Sequence, residues 1–417
     1  MKLLKILLTT TLLCGMNTLH AQKYVGGDIS LLPTYEEHGA NYMDPDGNPI
    51  NNLLQYFKDQ DLNAMRVRLF VDPSQASTED KGEGVRQDLA YVKALGKRIK
   101  DAGMKFILDF HYSDTWADPS QQATPASFKT VNTPATEYIY TYTKDCLNAL
   151  VEAGATPDFI QTGNEITYGM MWDSGCKVEA NTQWNGYKDT NWSSLTTALK
   201  NAGRACREVC PNAKIIIHTE RVPNIPQITD FYQRMDQNEV DYDIIGTSYY
   251  PYYHGNLTQL DAALTAFETT FPTKDIMVVE TGCGYHYQVG DNATGYPLTY
   301  EGQRQFTAAL VTTLNQHQNV KGLFWWFPEA NEYGLDWNTQ RVTDGWYNAS
   351  LFDNETGKAL PALFELKKFC DESAGMQLLQ TETAQPDCWY TLSGCKVNKK
   401  PDTKGIYVAN KRKIIVK

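Results

Sequence analysis

Between residue 24 and about residue 370 the chain repeats one pattern: a short apolar run, then an amphipathic stretch of helical period. The candidate strands cover residues 24–29, 64–70, 104–110, 158–162, 214–218, 242–248, 275–279 and 320–326. Strands that alternate with helices pair in parallel, because each helix carries the chain back to the starting edge of the sheet. Eight such units predict a closed (β/α)8 TIM barrel. Such barrels form single domains of ~250 to over 400 residues, so a length of 417 residues does not require several. Leu89, Val92, Leu95 and Ile99 at helical spacing predict a helix over 85–100, stopped by Gly103. Pro134 opens another helix, Pro211 closes the one ending near Cys210, and 300–316 and 360–369 supply the last two.

The ends of the chain follow other rules. Lys2 and Lys5 precede an apolar run over 6–13 that is too short to span a bilayer, and Leu19-His20-Ala21 resembles a cleavage site. Residues 1–21 are therefore predicted to be a signal peptide, which places the mature protein outside the cytoplasm: periplasmic, at the cell surface, or secreted. Cys14 invites a lipid-anchor reading, but Leu13 stands before it where a small residue is needed. No later segment is long and apolar enough to cross a membrane. Residues 22–370 are the predicted barrel. Residues 371–417 form a polar linker and a short C-terminal β tail, either a sorting or attachment segment or a hairpin packed on the barrel. Eight of the nine cysteines remain after the leader, and an oxidising compartment makes some disulfides expected. No Cys/His run has zinc spacing.

Composition narrows the partner. A net charge of -11 argues against nucleic acid, which meets basic faces, and against an acidic polymer. A neutral polysaccharide fits, and the 12% aromatic content supplies flat faces for sugar rings or, equally, an aromatic core. A monomer without cofactor or metal is expected.

Active sites of such barrels sit at the carboxyl ends of the strands. The stretch Asp158-Phe-Ile-Gln-Thr-Gly-Asn-Glu165 ends a strand on a glutamate, and Asp275-Ile-Met-Val-Val-Glu280 does the same. Two carboxylates on separate strand ends are the minimum equipment for cutting a glycosidic bond with retention. Glu165 is the candidate acid/base and Glu280 the candidate nucleophile; Asn164 would reach a sugar 2-hydroxyl. Arg66 and Arg68 share one strand face by period-two alternation, so if that face is interior at least one must meet a carboxylate. His111, Asp114 and Trp116 crowd the loop after the third strand, Trp116 as a stacking surface and the other two for hydroxyls. His218, Tyr250 and Trp326 fall at further strand ends. Each glutamate alone could be an ion-pair member of the scaffold; their company at strand ends makes the catalytic reading the stronger one.

Six blocks carry a resemblance. Arg66-Val-Arg-Leu-Phe-Val-Asp-Pro73, Asp109-Phe-His-Tyr-Ser-Asp-Thr-Trp-Ala-Asp-Pro119, Gly163-Asn-Glu165, Ser248-Tyr-Tyr-Pro-Tyr-Tyr253, Val278-Val-Glu-Thr281 and Gly322-Leu-Phe-Trp-Trp-Phe-Pro328 resemble, in order, the signature blocks of family 53 glycoside hydrolases, the arabinogalactan endo-β-1,4-galactanases. The resemblance implies cleavage of internal β-1,4-galactosyl links in pectic galactan, with Glu165 and Glu280 in the roles above. It implies a supporting shell of Arg66, His111, Asn164, Tyr250 and Trp326, and a sugar platform at Trp116. The alternatives are the same mechanism on another β-1,4-glycan, or a surface glycan-binding protein without catalysis. The chain departs from the family at Trp325-Trp-Phe-Pro, where a Tyr-Trp-Glu-Pro-like run is commoner. Some bacterial relatives hold calcium after the seventh strand. The corresponding loop here, 282–294, offers Asp291 and Asn292, too few oxygen ligands, so no calcium is expected unless Asp344 or Asp353 contributes.

Overall fold

The computed structural model describes residues 22–183, 186–287, 290, 294–343, 345–370, 389–391, 396–397, 405–409 and 412–416. The predicted leader, the linker, Asp291, Asn292 and Asp344 lie outside the described residues. Eight parallel strands, β1 (Tyr24–Asp28), β2 (Ala64–Leu69), β3 (Lys105–Phe110), β4 (Phe159–Thr162), β5 (Lys214–Thr219), β6 (Ile244–Tyr249), β7 (Asp275–Thr281) and β8 (Val320–Trp326), close a barrel in the order β1-β8-β7-β6-β5-β4-β3-β2. A helix follows each: α1 (Leu53–Asp59), α2 (Leu89–Asp101), α3 (Ala135–Glu152), α4 (Trp192–Val209), α5 (Ile225–Gln237), α6 (Leu257–Thr270), α7 (Tyr300–Leu314) and α8 (Leu363–Leu366). The TIM barrel is thus the observed fold.

The predicted strands agree with the observed ones to within two residues at each end. The helix predicted over 85–100 starts later, at Leu89, because the Asp88 carboxylate accepts the Tyr91 amide at 2.8 Å and fixes the first turn there. Residues before it stay extended, and the Phe70 amide donates to Gln87 O. The 360–369 helix shrinks to α8 plus a 3₁₀ turn, Lys367–Phe369.

The bore of the barrel has two levels. Its amino-terminal part is an apolar plug of Ala64, Ile107, Phe159, Ile216, Ile244, Met277 and Phe324, with Tyr24 edge-on to Phe159. Alternate residues of the same strands point outward into the larger core beneath the helices, where α2 sets Val92, Leu95 and Ile99. Burial of each such aliphatic side chain contributes about 1.5–3 kcal/mol. Gly26 makes the β1–β2 approach possible, since a Cβ there would sit 1.7 Å from Ala64 O. Above the plug the inward positions turn polar, and the site begins.

One irregularity decides the geometry of that upper level. Between β6 and β7, Thr247 pairs with Val278, but the next residue, Ser248, pairs with Glu280. Between β7 and β8, Leu323 pairs with Val278 and Trp325 with Thr281. Against both neighbours β7 carries an extra residue, a β-bulge that re-aims Glu280.

The carboxyl-terminal segment forms a separate four-stranded antiparallel sheet, β9 (Trp389–Thr391), β10 (Lys396–Val397), β11 (Gly405–Ala409) and β12 (Arg412–Val416), in the order β10-β9-β11-β12. It is more than the single hairpin anticipated as one alternative. The expected disulfides are not found among the described cysteines: Cys146, Cys176, Cys206, Cys210, Cys283 and Cys370 are free thiols. All except Cys370 are buried, and they fill the core as small apolar groups.

Candidate active site

Arg66 and Arg68 both point into the bore and are fully buried. Asp28, at the end of β1, bridges them: Oδ2 lies 2.9 Å from Arg66 Nη1 and Oδ1 3.2 Å from Arg68 Nη1. Arg66 Nη2 donates to Asp109 Oδ2 and to Asn164 Oδ1, each at 2.8 Å, and Nε donates to Gln161 Oε1 at 3.3 Å. With both Nη2 hydrogens so used, its 2.9 Å contact with Glu280 Oε1 is one of charge rather than an aligned hydrogen bond. A buried guanidinium without partners is prohibitively costly, and loss of one partner from such a cluster costs about 3–5 kcal/mol. The cluster therefore fixes where Glu280 stands.

Glu165 and Glu280 meet at Ser248. Its hydroxyl oxygen lies 2.6 Å from Glu165 Oε1 and 3.4 Å from Glu280 Oε2. Two oxygens sharing one hydroxyl at those distances are at most about 6 Å apart, below the ~6.5–9.5 Å that an inverting pair needs to admit water. Tyr250 donates its phenol to Glu280 Oε2 at 3.1 Å. His218 Nδ1 receives the Gln161 side-chain amide at 3.1 Å and the Glu165 backbone amide at 3.3 Å. Its proton therefore sits on Nε2, which faces Ser248 Oγ at 2.8 Å. Ser248 accepts from His218, and its own proton is directed to Glu165.

Local backbone supports this arrangement. Glu165 has φ 46° and opens a 3₁₀ turn, Ile166–Tyr168; Gly163 before it has φ 97°, and a Cβ there would touch Ile166 Cγ2 at 2.7 Å. Tyr112 and Phe327, just beyond β3 and β8, also have positive φ. Such strain persists only where surrounding contacts over-determine it, and it clusters here at the strand ends.

The electrostatics separate the two carboxyls. Burial, then the charges of Glu280 and Glu220, push Glu165 well above the ordinary carboxylate range, while the Ser248 hydrogen bond pulls the other way. Burial raises Glu280 to about 7, opposed by Arg66 and by the Tyr250 hydrogen bond. A proton shared by the pair resides on Glu165. Burial and the neighbouring Arg66 hold His218 well below its usual value, so it is a neutral donor.

The other anticipated residues take distinct places. Asn164 donates from Nδ2 to Ala117 O at 2.8 Å, which leaves its second amide hydrogen for the cleft. His111 is buried: Nδ1 accepts the Ala117 amide at 3.1 Å, and Nε2 lies 3.1 Å from Asp109 Oδ2. Asp114 spends its oxygens on the Asp72 and Ala126 amides, at 3.1 and 2.8 Å, tying two loops together. Trp116 and Trp326, 6.1 Å apart, flank the Arg68 guanidinium at 4.6 and 5.5 Å. Sequence reasoning passed over Ser248, Asp28, Asp109, Gln161 and Glu220. Period-two alternation from Tyr24 to Asp28, and from Asp109 to His111, carried the signal for two of them. Glu220 directly follows β5, is buried, receives Thr167 Oγ1 at Oε2, and is pushed by burial to about 7. Among the described residues no group of three His, Cys, Asp or Glu could hold a metal ion. Asp353 instead caps its own turn through the Glu355 amide at 3.1 Å and through Thr356.

The profile of glycosyl hydrolase family 53 matches residues 24–366. The chain is 30% identical over 359 residues to the probable arabinogalactan endo-beta-1,4-galactanase A of Neosartorya fischeri, covering 79% of this chain and 94% of that protein. It is 27% identical over 378 residues to the endo-beta-1,4-galactanase of Bacillus subtilis, covering 81% and 84% respectively. Among solved structures, the Ignisphaera aggregans GH53 catalytic domain superposes with a TM-score of 0.72 at 28% identity, covering 84% of this chain and 97% of that one.

Proposed function

The chain belongs to glycosyl hydrolase family 53, and from that premise we propose that it is an exported, retaining endo-β-1,4-galactanase acting on linear galactan and type I arabinogalactan. The observation that carries this reading is the pairing of two unlike carboxyls through one hydroxyl, Ser248, at the strand ends of the barrel. The galactanase names of the relatives support the substrate. The leader-like sequence of residues 1–21 supports export, and no described helix is long and apolar enough to cross a membrane.

The chemistry runs in two displacements. An ionised Glu280 oxygen attacks the anomeric carbon of the galactosyl residue above it. The bond from that carbon to the leaving sugar's oxygen breaks, and the oxygen takes the proton of Glu165. The product is a glycosyl ester on Glu280 with Glu165 ionised. Two unit charges ~6 Å apart at an effective dielectric of ~20 repel by about 3 kcal/mol. Esterification removes the Glu280 charge and with it this repulsion, so ionised Glu165 is tolerated and can act as base. It takes a proton from water while the water oxygen attacks the anomeric carbon and the ester bond breaks. Both carboxyls return to their starting states, and the anomeric configuration is kept. Arg66 stays charged throughout against Asp28 and Asp109, holding Glu280 in line.

The test is to mix the protein with linear β-1,4-galactan and follow the anomeric protons by NMR before mutarotation. β-Anomers should appear first, with rapid loss of chain length. First appearance of α-anomers sinks the retaining mechanism, and activity confined to xylan or mannan sinks the substrate.

A further inference from the structure

The segment that leaves β7 just after Glu280 is fastened to the loop that follows β8, and two buried amide side chains do the fastening. Asn348, only 1% exposed, accepts the backbone amides of His286 and Tyr287 on Oδ1 at 2.8 and 3.2 Å. Its Nδ2 donates to Tyr287 O at 2.7 Å, and its own carbonyl accepts the Tyr285 amide at 3.2 Å. Gln303, fully buried on α7, donates from Nε2 to Cys283 O and to Ser350 O, each at 2.9 Å. The Tyr287 hydroxyl adds a bond to Gly345 O at 2.7 Å. A loop without regular structure must still find partners for its backbone amides and carbonyls. Here one asparagine supplies them to Tyr285, His286 and Tyr287 in turn. The chain is shaped around it: a Cβ at Gly284 would lie 2.6 Å from Asn348 Nδ2.

This joint bears on the nucleophile. β7 carries the bulge, so ladder pairing alone does not set its last residues. Gly282 lies between the two sides: a Cβ there would stand 3.6 Å from Tyr250 Cε1 and 3.8 Å from Ala349 Cβ. Tyr250 donates to Glu280, and Ala349 O accepts Trp325 Nε1 at 2.6 Å, which anchors the loop on β8. A calcium ion joining two such segments would need roughly six to eight oxygens turned toward one point. Between residues 285–287 and Asn348 the converging groups are instead N–H donors on Asn348 Oδ1, and the Tyr287 carbonyl is taken by Asn348 Nδ2. That donor set does not suit a cation.

Resting on the functional reading above, we propose that Asn348 is a positioning residue for the reaction: with Gln303 it fastens the segment after β7 to the loop after β8 without a metal ion, and so holds Glu280 in line with Tyr250 and Arg66.

The experiment compares Asn348→Ala and Gly284→Ala with the full-length parent. Reducing-end release from linear β-1,4-galactan is followed across pH, and melts are run with EDTA or with added calcium chloride. Asn348→Ala removes the three side-chain bonds. It should lose about 10- to 100-fold in kcat, with KM changed less than about threefold. The acidic limb of kcat/KM should move to higher pH, because Tyr250 and Arg66 favour ionised Glu280 and fall out of line with it. Gly284→Ala presses on the same joint without removing a partner, so it should move kcat and the limb in the same directions even where the asparagine variant does not fold. EDTA should leave the melting temperature and kcat of the parent unchanged. A folded variant with the parent's kcat and limb overturns the proposal, as does a loss expressed wholly in KM. A melting temperature that falls in EDTA and is restored by calcium overturns the metal-free joint. A parent that does not cut galactan overturns the functional reading and the positioning role with it, while the melts in EDTA still decide how the two segments are joined.

Discussion

Ser248→Ala isolates the hydroxyl that joins the two carboxyls. In the resting enzyme Ser248 donates to a protonated Glu165, a neutral hydrogen bond contributing about 0.5–1.5 kcal/mol. As Glu165 hands its proton to the leaving oxygen, the acceptor becomes an anion, and such bonds contribute about 1.5–3 kcal/mol. The difference, about 1–2 kcal/mol, acts only in the transition state and corresponds to about a 5- to 30-fold loss in kcat. KM should barely move, because Ser248 is buried beneath the cleft. The bond also favours ionised Glu165, so its loss should move the alkaline limb of the pH profile to higher pH. A stability cost of about 1–3 kcal/mol follows from leaving His218 Nε2–H without its acceptor. The assay is reducing-end release from galactan across pH, with melting curves to confirm folding. A loss below twofold with an unmoved alkaline limb would refute the assignment of Ser248 as donor to the acid. So would a loss as large as that of Glu165→Gln, since a supporting hydroxyl cannot cost as much as the proton it supports.

Three further outcomes are expected. Tyr250→Phe removes a hydrogen bond that favours ionised Glu280, so the acidic limb of kcat/KM should move to higher pH with about a 10- to 100-fold loss; a downward shift would count against Glu280 as the ionised partner. Glu280→Gln should reduce galactan cleavage ~10⁴-fold or more while the fold is kept, as for removal of one member of a catalytic unit; near-normal turnover would end the proposed mechanism. Burial raises Glu329 from 4.5 to about 8, so the unfolded chain ionises first. Its contribution is fully present below pH 4.5 and is lost as pH rises through about 8. Glu329→Gln keeps an acceptor for the Leu31 amide, which Glu329 Oε1 now receives at 2.9 Å. It should flatten the fall of unfolding free energy across that window, by an amount of order a few kcal/mol, and with it the fall of Tm; a variant whose Tm falls as steeply with pH as the parent's would contradict it.

Much of this protein was written along the chain itself. Strand and helix identity depend on local periodicity, and the alternation of eight β-like runs with amphipathic helices left little choice but a closed parallel barrel. Glu165 and Glu280 were legible for the same reason: each follows an apolar run at the end where such barrels keep their reactive groups. Arg66 and Arg68 were legible as an inward pair because alternation is a property of one strand. What the chain order could not convey is which residues of different strands stand side by side. That is a matter of register, and register here turns on the bulge in β7 that sets Glu280 opposite Ser248. Asp28, Ser248 and Glu220 look ordinary in sequence because their importance lies in partners 38, 83 and 53 residues away. Conversely, His111 and Asp114 sit in a loop dense with polar residues, yet the fold turns both inward onto backbone amides. The residue types were fixed by local pattern; the distances that set two carboxyls against one hydroxyl arose only when eight separate strands closed on one another.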